Sequence, residues 1–479
     1  MERQMIVDML RQMLPENRVI TDKKTLEKNS IDRFRKYEDI KGVYTQPLPA
    51  AVVKVADADE VSKVLSFANQ HGINVVPRTG GSATEGGLET AVKDSIVVDG
   101  SLMSKILSID PTDMQVTAQC GVVLETLENI LREQGFTTGH SPQSKPLAMM
   151  GGLVATRSIG QFSTLYGGIE DMVVGLEAVL PDGTVTRIKN VPRRAAGPDI
   201  RHILIGNEGS LAFITEVTVK IFKYRPENNI FLGYVIDDMK TGLEILREVM
   251  VEGLRPSVAR LYDPEDGHYY FSHFANNRCV LVFMTEGEKQ ISKYTAEAID
   301  TIVRANSGAA QVESKLIEDW FNNLNWDVSK VEDERQQILE TDNIGFTTEV
   351  SGSWSVIHDI YVACMERVRK EIPDITMLGG HSSHSYINGT NIYFMYYYDL
   401  VDIEPEEEIE KYHDPINKII VEETLKLGGS MVHHHGIGKH RTAWVEQEHG
   451  SAYVYLTKLK EAFDPNGIMN AGTVYPLEK

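Results

Sequence analysis

The chain has 479 residues, more than one ordinary hydrophobic core serves, so two or more domains are expected. Its 42% apolar and 24% charged content is that of a soluble globular protein. A formal net charge of −21 argues against nucleic acid as a partner, while leaving room for a small anion in a local basic pocket. The three cysteines, Cys120, Cys279 and Cys364, have no CxxC spacing; they suit a reducing compartment and indicate neither a disulfide framework nor a zinc–cysteine site. The first residues lack the apolar core of a signal peptide, and no window approaches 18 consecutive apolar residues. A cytoplasmic location without a transmembrane segment is expected.

Residues 5–14 have the spacing of a short amphipathic helix ended by Pro15, and the charged stretch 30–44 reads as a lead-in segment. From Pro49 the pattern is strand, helix, strand: AAVVKVA, then Val61, Val64, Leu65 and Ala68 at helical spacing, then INVVP. Asp57 followed by Glu60 resembles a capping box, and Gly72 is a helix stop. The loop that leaves the second strand, PRTGGSATEGG, either cradles phosphate through backbone N–H groups or is a plain tight turn. It matches neither GxGxxG nor GxxxxGK[ST]. Strands SIVVDG and 115–119 follow, then a helix with Val123, Leu127, Ile130 and Leu131 on one face.

The stretch 138–216 is dense in Gly, Ser and Thr in its first half and almost free of charge, which lets backbone approach a ligand closely. It is either a cofactor bed or a long surface loop. Its second half holds a hairpin around Asp182-Gly183 and the strand SLAFITEVTVKIF. Beyond Arg225-Pro226, strands FLGYVI, CVLVFMT and NIYFMYYY alternate with helices such as 239–251 and 291–305, an α+β pattern. The last segment carries MVHHHGIGKHR, a helix near 452–463 and the stop DPNG.

PRTGGSAT, GGLVATRSIG, GNEGSLAFITE and HHHGIGKHR…FDPNGI, in this order, resemble the vanillyl-alcohol-oxidase-type (PCMH-type) FAD flavoproteins over nearly the whole chain. GHSPQS, GPDIRH, RLYD and the triple histidine place the resemblance nearest to alkyldihydroxyacetonephosphate synthase and its bacterial FAD-linked oxidoreductase homologues. The resemblance implies an α+β fold: a two-subdomain FAD-binding domain over 1–226, an α+β cap domain with an antiparallel sheet over 227–427, and a C-terminal segment, 428–479, that returns to the flavin site. It implies FAD, with its pyrophosphate on Arg78, Thr79, Gly80, Gly81, Ser82 and Ala83 and with Pro77 also binding the cofactor. The adenine and flavin rings would lie on Pro142, Met149, Gly151, Gly152, Thr156, Ser158, Gly160, Glu208, Gly209 and Ile214. Relatives with covalent flavin carry a histidine after the paired glycines; Ser82 stands there, so non-covalent FAD is expected. A homodimer is the family expectation.

His433, His434 and His435 form either a solvated loop or a proton-moving group over the flavin. Tyr393 matches an acid-base tyrosine of the alkyl synthases and is otherwise a core strand aromatic. Arg260 and Arg335 resemble arginines placed near substrate, with a surface ion pair as the other reading of Arg335. His140 matches a histidine near the flavin. Two positions depart from the synthases: Met149 replaces a threonine near flavin N5, and His381 replaces an arginine. The 2-hydroxy-acid dehydrogenases hold a divalent metal through motifs that here keep one histidine as His381 but have Tyr393 and His434 in place of the second histidine and the glutamate; His381, His384 and His434 could gather on one metal, but the expectation is no metal, with His434 as acid-base group and His381 as a hydrogen-bond donor to substrate. The expected function is FAD-linked oxidation of a small anionic hydroxy-acid or polyol-type substrate by hydride transfer to flavin N5, with the electron acceptor open. The alternatives are a redox-neutral exchange like that of the alkyl synthases and an electron-passing flavoprotein subunit.

Overall fold

The computed structural model describes residues 1–306, 308–324 and 328–477. The first sheet has the order Val19–Ile20, Ala51–Lys54, Ile96–Asp99, Val75–Arg78. The two strands of the expected βαβ unit are parallel but do not touch, because Ile96–Asp99 runs parallel between them. The crossover helix Ala58–His71 is capped by the Asp57 carboxylate, which accepts from Glu60 N at 2.9 Å. Glu60 does not close a reciprocal box: its side chain accepts from Ala56 N and pairs with Arg18 at 2.6 Å. The N-terminal helix Arg3–Met13 buries Ile6, Val7 and Leu10 in one core with Val61, Val64 and Leu65.

The second sheet is antiparallel, in the order Ile106–Asp110, Gln115–Gln119, Phe213–Lys220, Val173–Val179, Val185–Ile188. Its last two strands are the expected hairpin, turning at Gly183 with φ 90°, a conformation that needs glycine. Helices Leu124–Glu133 and Met150–Ala155 share its apolar core.

The third sheet is antiparallel and large: Ala310–Val312, Ile230–Ile236, Cys279–Thr285, Val258–Tyr262, Ile375–Ser382, Gly389–Asp399, Asn343–Ser353. Alternate residues serve opposite faces. Leu281 and Phe283 pack in a core that includes Leu243, Ile299 and Ile420, while Val280 and Val282 pack with Phe271, Ile317 and Trp320. The chain then returns to the first sheet, where Met469 bridges Val75 in parallel and Asn470 N donates to Val75 O at 2.8 Å.

The charged lead-in does more than its sequence suggests. Phe34 and Tyr37 are buried, Tyr37 within the core of the third sheet, and Lys36 pairs with Glu334 at 2.7 Å. The N-terminus thereby ties the first sheet to the third. Among the described residues, no helix is long and apolar enough to cross a membrane. All three cysteines are buried and unpaired.

Candidate active site

A cavity of about 840 Å³ lies between the two N-terminal sheets and the third sheet. Every residue expected to bed FAD lines it except Gly160. Gly160 instead packs against the chain beneath: a Cβ there would lie 2.3 Å from Ser141 N. Among the described residues, no backbone N–H from Gly80 to Thr84 donates to another protein group, so this glycine loop presents unpaired donors to the cavity. A pyrophosphate meets that requirement, as successive backbone amides do in other anion-binding nests. The loop lies close against the next segment, since a Cβ on Gly80 would sit 2.3 Å from Leu147 O. Gly80→Ala is therefore expected to force a backbone shift costing about 1–3 kcal/mol and to weaken FAD binding about 10- to 100-fold, read as lost flavin absorbance in the purified protein. A fully yellow variant would show that the loop admits a methyl group.

The opposite wall carries a cluster of titratable side chains. Strands Asn343–Ser353 and Gly389–Asp399 pair in a register that puts Glu349 opposite Tyr393. The Glu349 carboxylate is fully buried and accepts three successive backbone N–H groups, from His433 at 2.6 Å, His434 at 3.1 Å and His435 at 2.8 Å. A second carboxylate, on Glu208, accepts from Ile437 N at 2.7 Å and Gly438 N at 2.9 Å. Glu208 is thus both a cavity-lining residue and an anchor of the histidine loop. Gly438 has φ 55°, and a Cβ there would strike Glu85 O.

The anchored loop presents His434 to Tyr393, with Nε2 2.6 Å from the hydroxyl. Burial pushes the Tyr393 phenol up, with Glu349 adding to the effect, and burial with the neighbouring imidazoles pushes His434 well down. Both groups are neutral near pH 7, a pair able to pass a proton without holding charge. His381 stacks on Tyr393, ring centroids 4.5 Å apart, and its Nδ1 is held by the buried carboxylate of Asp266. Arg260 is 4% exposed; Nη1 donates to the Tyr262 hydroxyl at 2.7 Å, and Nε has no hydrogen-bond partner among the described residues.

Tyr393, His434, His435, Arg260 and His381 therefore meet on one cavity, and His384 lines it with them, its Nδ1 2.8 Å from Ser163 Oγ. Three expected catalytic residues do not line it. Arg335 lies on the helix Val328–Thr341, whose Asp333, Glu334 and Gln337 face the cavity; it is turned about 100° from Glu334 around the helix. His433 lies behind His434, bonded to Tyr386. His140 is buried below the flavin bed, its Nε2 3.2 Å from Ser158 Oγ, and burial alone lowers it to about 3, so it is a neutral support for that segment. Glu349, His433 and His434 bring ligand atoms within 4.8 Å of one another, but hydrogen bonds already engage them: the carboxylate with three N–H groups and the two Nδ1 atoms with each other. Glu349 and Asp266 were not found from sequence. The available signal was a lone acid in the strand TTEVSGS; Asp266 looks like any first-turn helix acid.

The fold and the cavity are those of a flavoprotein, with titratable side chains on the wall opposite the glycine loop. Residues 49–189 match the FAD binding domain family and 225–474 match the C-terminal domain of FAD linked oxidases. The chain belongs to the FAD-linked oxidoreductases, and FAD is its cofactor. It is 68% identical, over the full length of both, to the uncharacterized FAD-linked oxidoreductase YgcU of Escherichia coli (strain K12). It is 27% identical to alkyldihydroxyacetonephosphate synthase of Caenorhabditis elegans over 88% of this chain and 75% of the synthase. It is 26% identical to the mitochondrial D-lactate dehydrogenase [cytochrome] of Arabidopsis thaliana over 90% of this chain and 74% of that enzyme. The PCMH-type fold is seen in the likeness to p-cresol methylhydroxylase with substrate bound, with a TM-score of 0.77 at 15% identity over 99% and 97% of the two chains.

Proposed function

We propose that the chain oxidises a small 2-hydroxy acid, with Tyr393 and His434 removing the hydroxyl proton beside the FAD that the Arg78–Ala83 loop and the Met149–Ser158 segment would hold. The observation that carries this reading is the Tyr393–His434 contact of 2.6 Å on the same cavity as the flavin bed and Arg260. Bound FAD supplies a two-electron acceptor. Tyr393 accepts the substrate proton as its own proton moves to His434 Nε2. Arg260, buried with a free Nε–H, suits a carboxylate, and His381, fixed by Asp266, keeps one ring nitrogen for a second contact. Ser82 at the linking position supports FAD held without a covalent bond. Relatives named for D-lactate and glycolate oxidation favour the hydroxy-acid class. The synthase-like exchange is the second reading, favoured by the likeness to the alkyl synthases.

Anaerobic mixing of the holoenzyme with D- and L-2-hydroxy acids, sugar acids and dihydroxyacetone phosphate esters separates the two. Flavin bleaching by a hydroxy acid supports oxidation; ester exchange without bleaching supports the synthase reading. With any bleaching acid, Arg260→Lys is expected to raise KM about tenfold or more, because a point charge does not reproduce the guanidinium fork. Equal KM values would remove Arg260 from substrate binding.

A further inference from the structure

The contact between Tyr393 and His434 is one link of a longer chain. His434 Nδ1 lies 2.8 Å from His433 Nδ1, and His433 Nε2 lies 2.7 Å from the Tyr386 hydroxyl. Tyr393 and His434 line the active-site cavity; His434, His433 and Tyr386 line a second cavity of about 570 Å³ on the far side of the histidine loop. That cavity reaches the surface, with the exposed Arg157, His202 and His449 on its lining. Building on the proposed oxidation, we propose that Tyr393, His434, His433 and Tyr386 form a proton relay that carries the substrate's hydroxyl proton out of the active site to water in the second cavity.

One tautomer set satisfies every link with each ring carrying a single proton. Tyr393 O–H donates to His434 Nε2, His434 Nδ1–H donates to His433 Nδ1, and His433 Nε2–H donates to Tyr386. On reaction the substrate O–H bond breaks and a new O–H bond forms at Tyr393. Tyr393's own proton passes to His434 Nε2, the Nδ1 proton of His434 to His433, the Nε2 proton of His433 to Tyr386, and the Tyr386 proton to water. One proton leaves, and the hydride with its electron pair goes to bound FAD. The proton has reason to move on rather than stop. Burial lowers His433 to about 4 and pushes His434 well down, so an imidazolium at either ring is disfavoured. The titratable and charged groups acting on His433 are Glu349, His435 and Arg157, and those on Tyr386 are Glu170, Asp171, Glu349 and Arg157. Glu349 fixes both histidines from the backbone side, which holds the two Nδ1 atoms together.

Histidine-selective ¹⁵N labelling of the holoenzyme tests the relay without any substrate, and so independently of the proposed oxidation. The expected spectrum has one ring proton on each of His433 and His434, with one N–H between the two Nδ1 atoms. Both rings protonated only at Nε2, or either ring doubly protonated near pH 7, would overturn the relay. With D-lactate as the probe, Tyr386→Phe is expected to slow anaerobic bleaching at least about tenfold with FAD content and KM unchanged. His433→Ala is expected to regain bleaching on adding imidazole, which the second cavity has room to admit. Undiminished bleaching by Tyr386→Phe would overturn the relay. Should D-lactate fail to bleach the parent enzyme, the oxidation reading loses that substrate and the tautomer measurement alone decides the relay.

Discussion

Tyr393→Phe is expected to slow flavin reduction by about 10²- to 10⁴-fold, the range for losing a positioned acid-base group. The ring would remain stacked on His381, so FAD content and folding should be kept. What is lost is the hydroxyl proposed to receive the substrate proton, which lies 2.6 Å from His434 Nε2. The pH profile carries the same signature. His434 is lowered from 6.5 and Tyr393 raised from 10.0, so the pair stays neutral throughout that interval. The parent enzyme's kcat/KM should be flat there as far as this pair is concerned. A rate that falls on the acid side near pH 6.5 would mean an ordinary, solvated histidine. A loss below about threefold in the variant would return Tyr393 to the role of a core aromatic.

Glu349→Ala is expected to do the most structural damage of any single change in the site. Its carboxylate is the shared acceptor for three consecutive N–H groups, and among the described residues none of the three donates to another acceptor. Leaving buried donors unpaired costs about 1–3 kcal/mol each, so a loss of about 3 kcal/mol or more is expected. The histidine loop would then leave Tyr393, and activity would fall with stability. Glu349→Gln keeps one acceptor oxygen but turns an NH₂ toward donors, and should fall between the two. Thermal unfolding with flavin release as the second readout checks both; an unshifted midpoint in Glu349→Ala would mean that Glu208 and Glu448 hold the loop unaided.

Much of the fold was legible because periodicity reports burial directly. The crossover helix, the Asp182-Gly183 hairpin and the three strands of the cap are where their spacing puts them. Strand order was not legible: Ile96–Asp99 looks like any apolar strand, and only tertiary packing inserts it between two others. The lead-in segment misled for a related reason. Its charges look solvated in sequence, but Lys36 meets its partner Glu334 298 residues away. The same helix carries Arg335, singled out in sequence, but the cavity is lined by its neighbours Asp333, Glu334 and Gln337 instead. The triple histidine shows the limit most clearly. Adjacent imidazoles in an irregular loop have no periodicity to sort them, yet one faces Tyr393, one faces Tyr386, and one lies 3.7 Å from Glu85. Two distant carboxylates, Glu349 and Glu208, set that arrangement, and neither announces it locally.

The measurement that tests the central claim most directly is anaerobic flavin bleaching by a 2-hydroxy acid carrying deuterium at its carbinol carbon. If the Tyr393–His434 pair removes the hydroxyl proton in an oxidation that breaks the carbinol C–H bond, the deuterated acid should bleach the flavin several-fold more slowly than the protiated one, with one keto acid formed per flavin reduced. Bleaching at equal rates would mean that the C–H bond does not break in the observed step, and no bleaching by any hydroxy acid, with ester exchange in its place, would contradict the oxidase account outright.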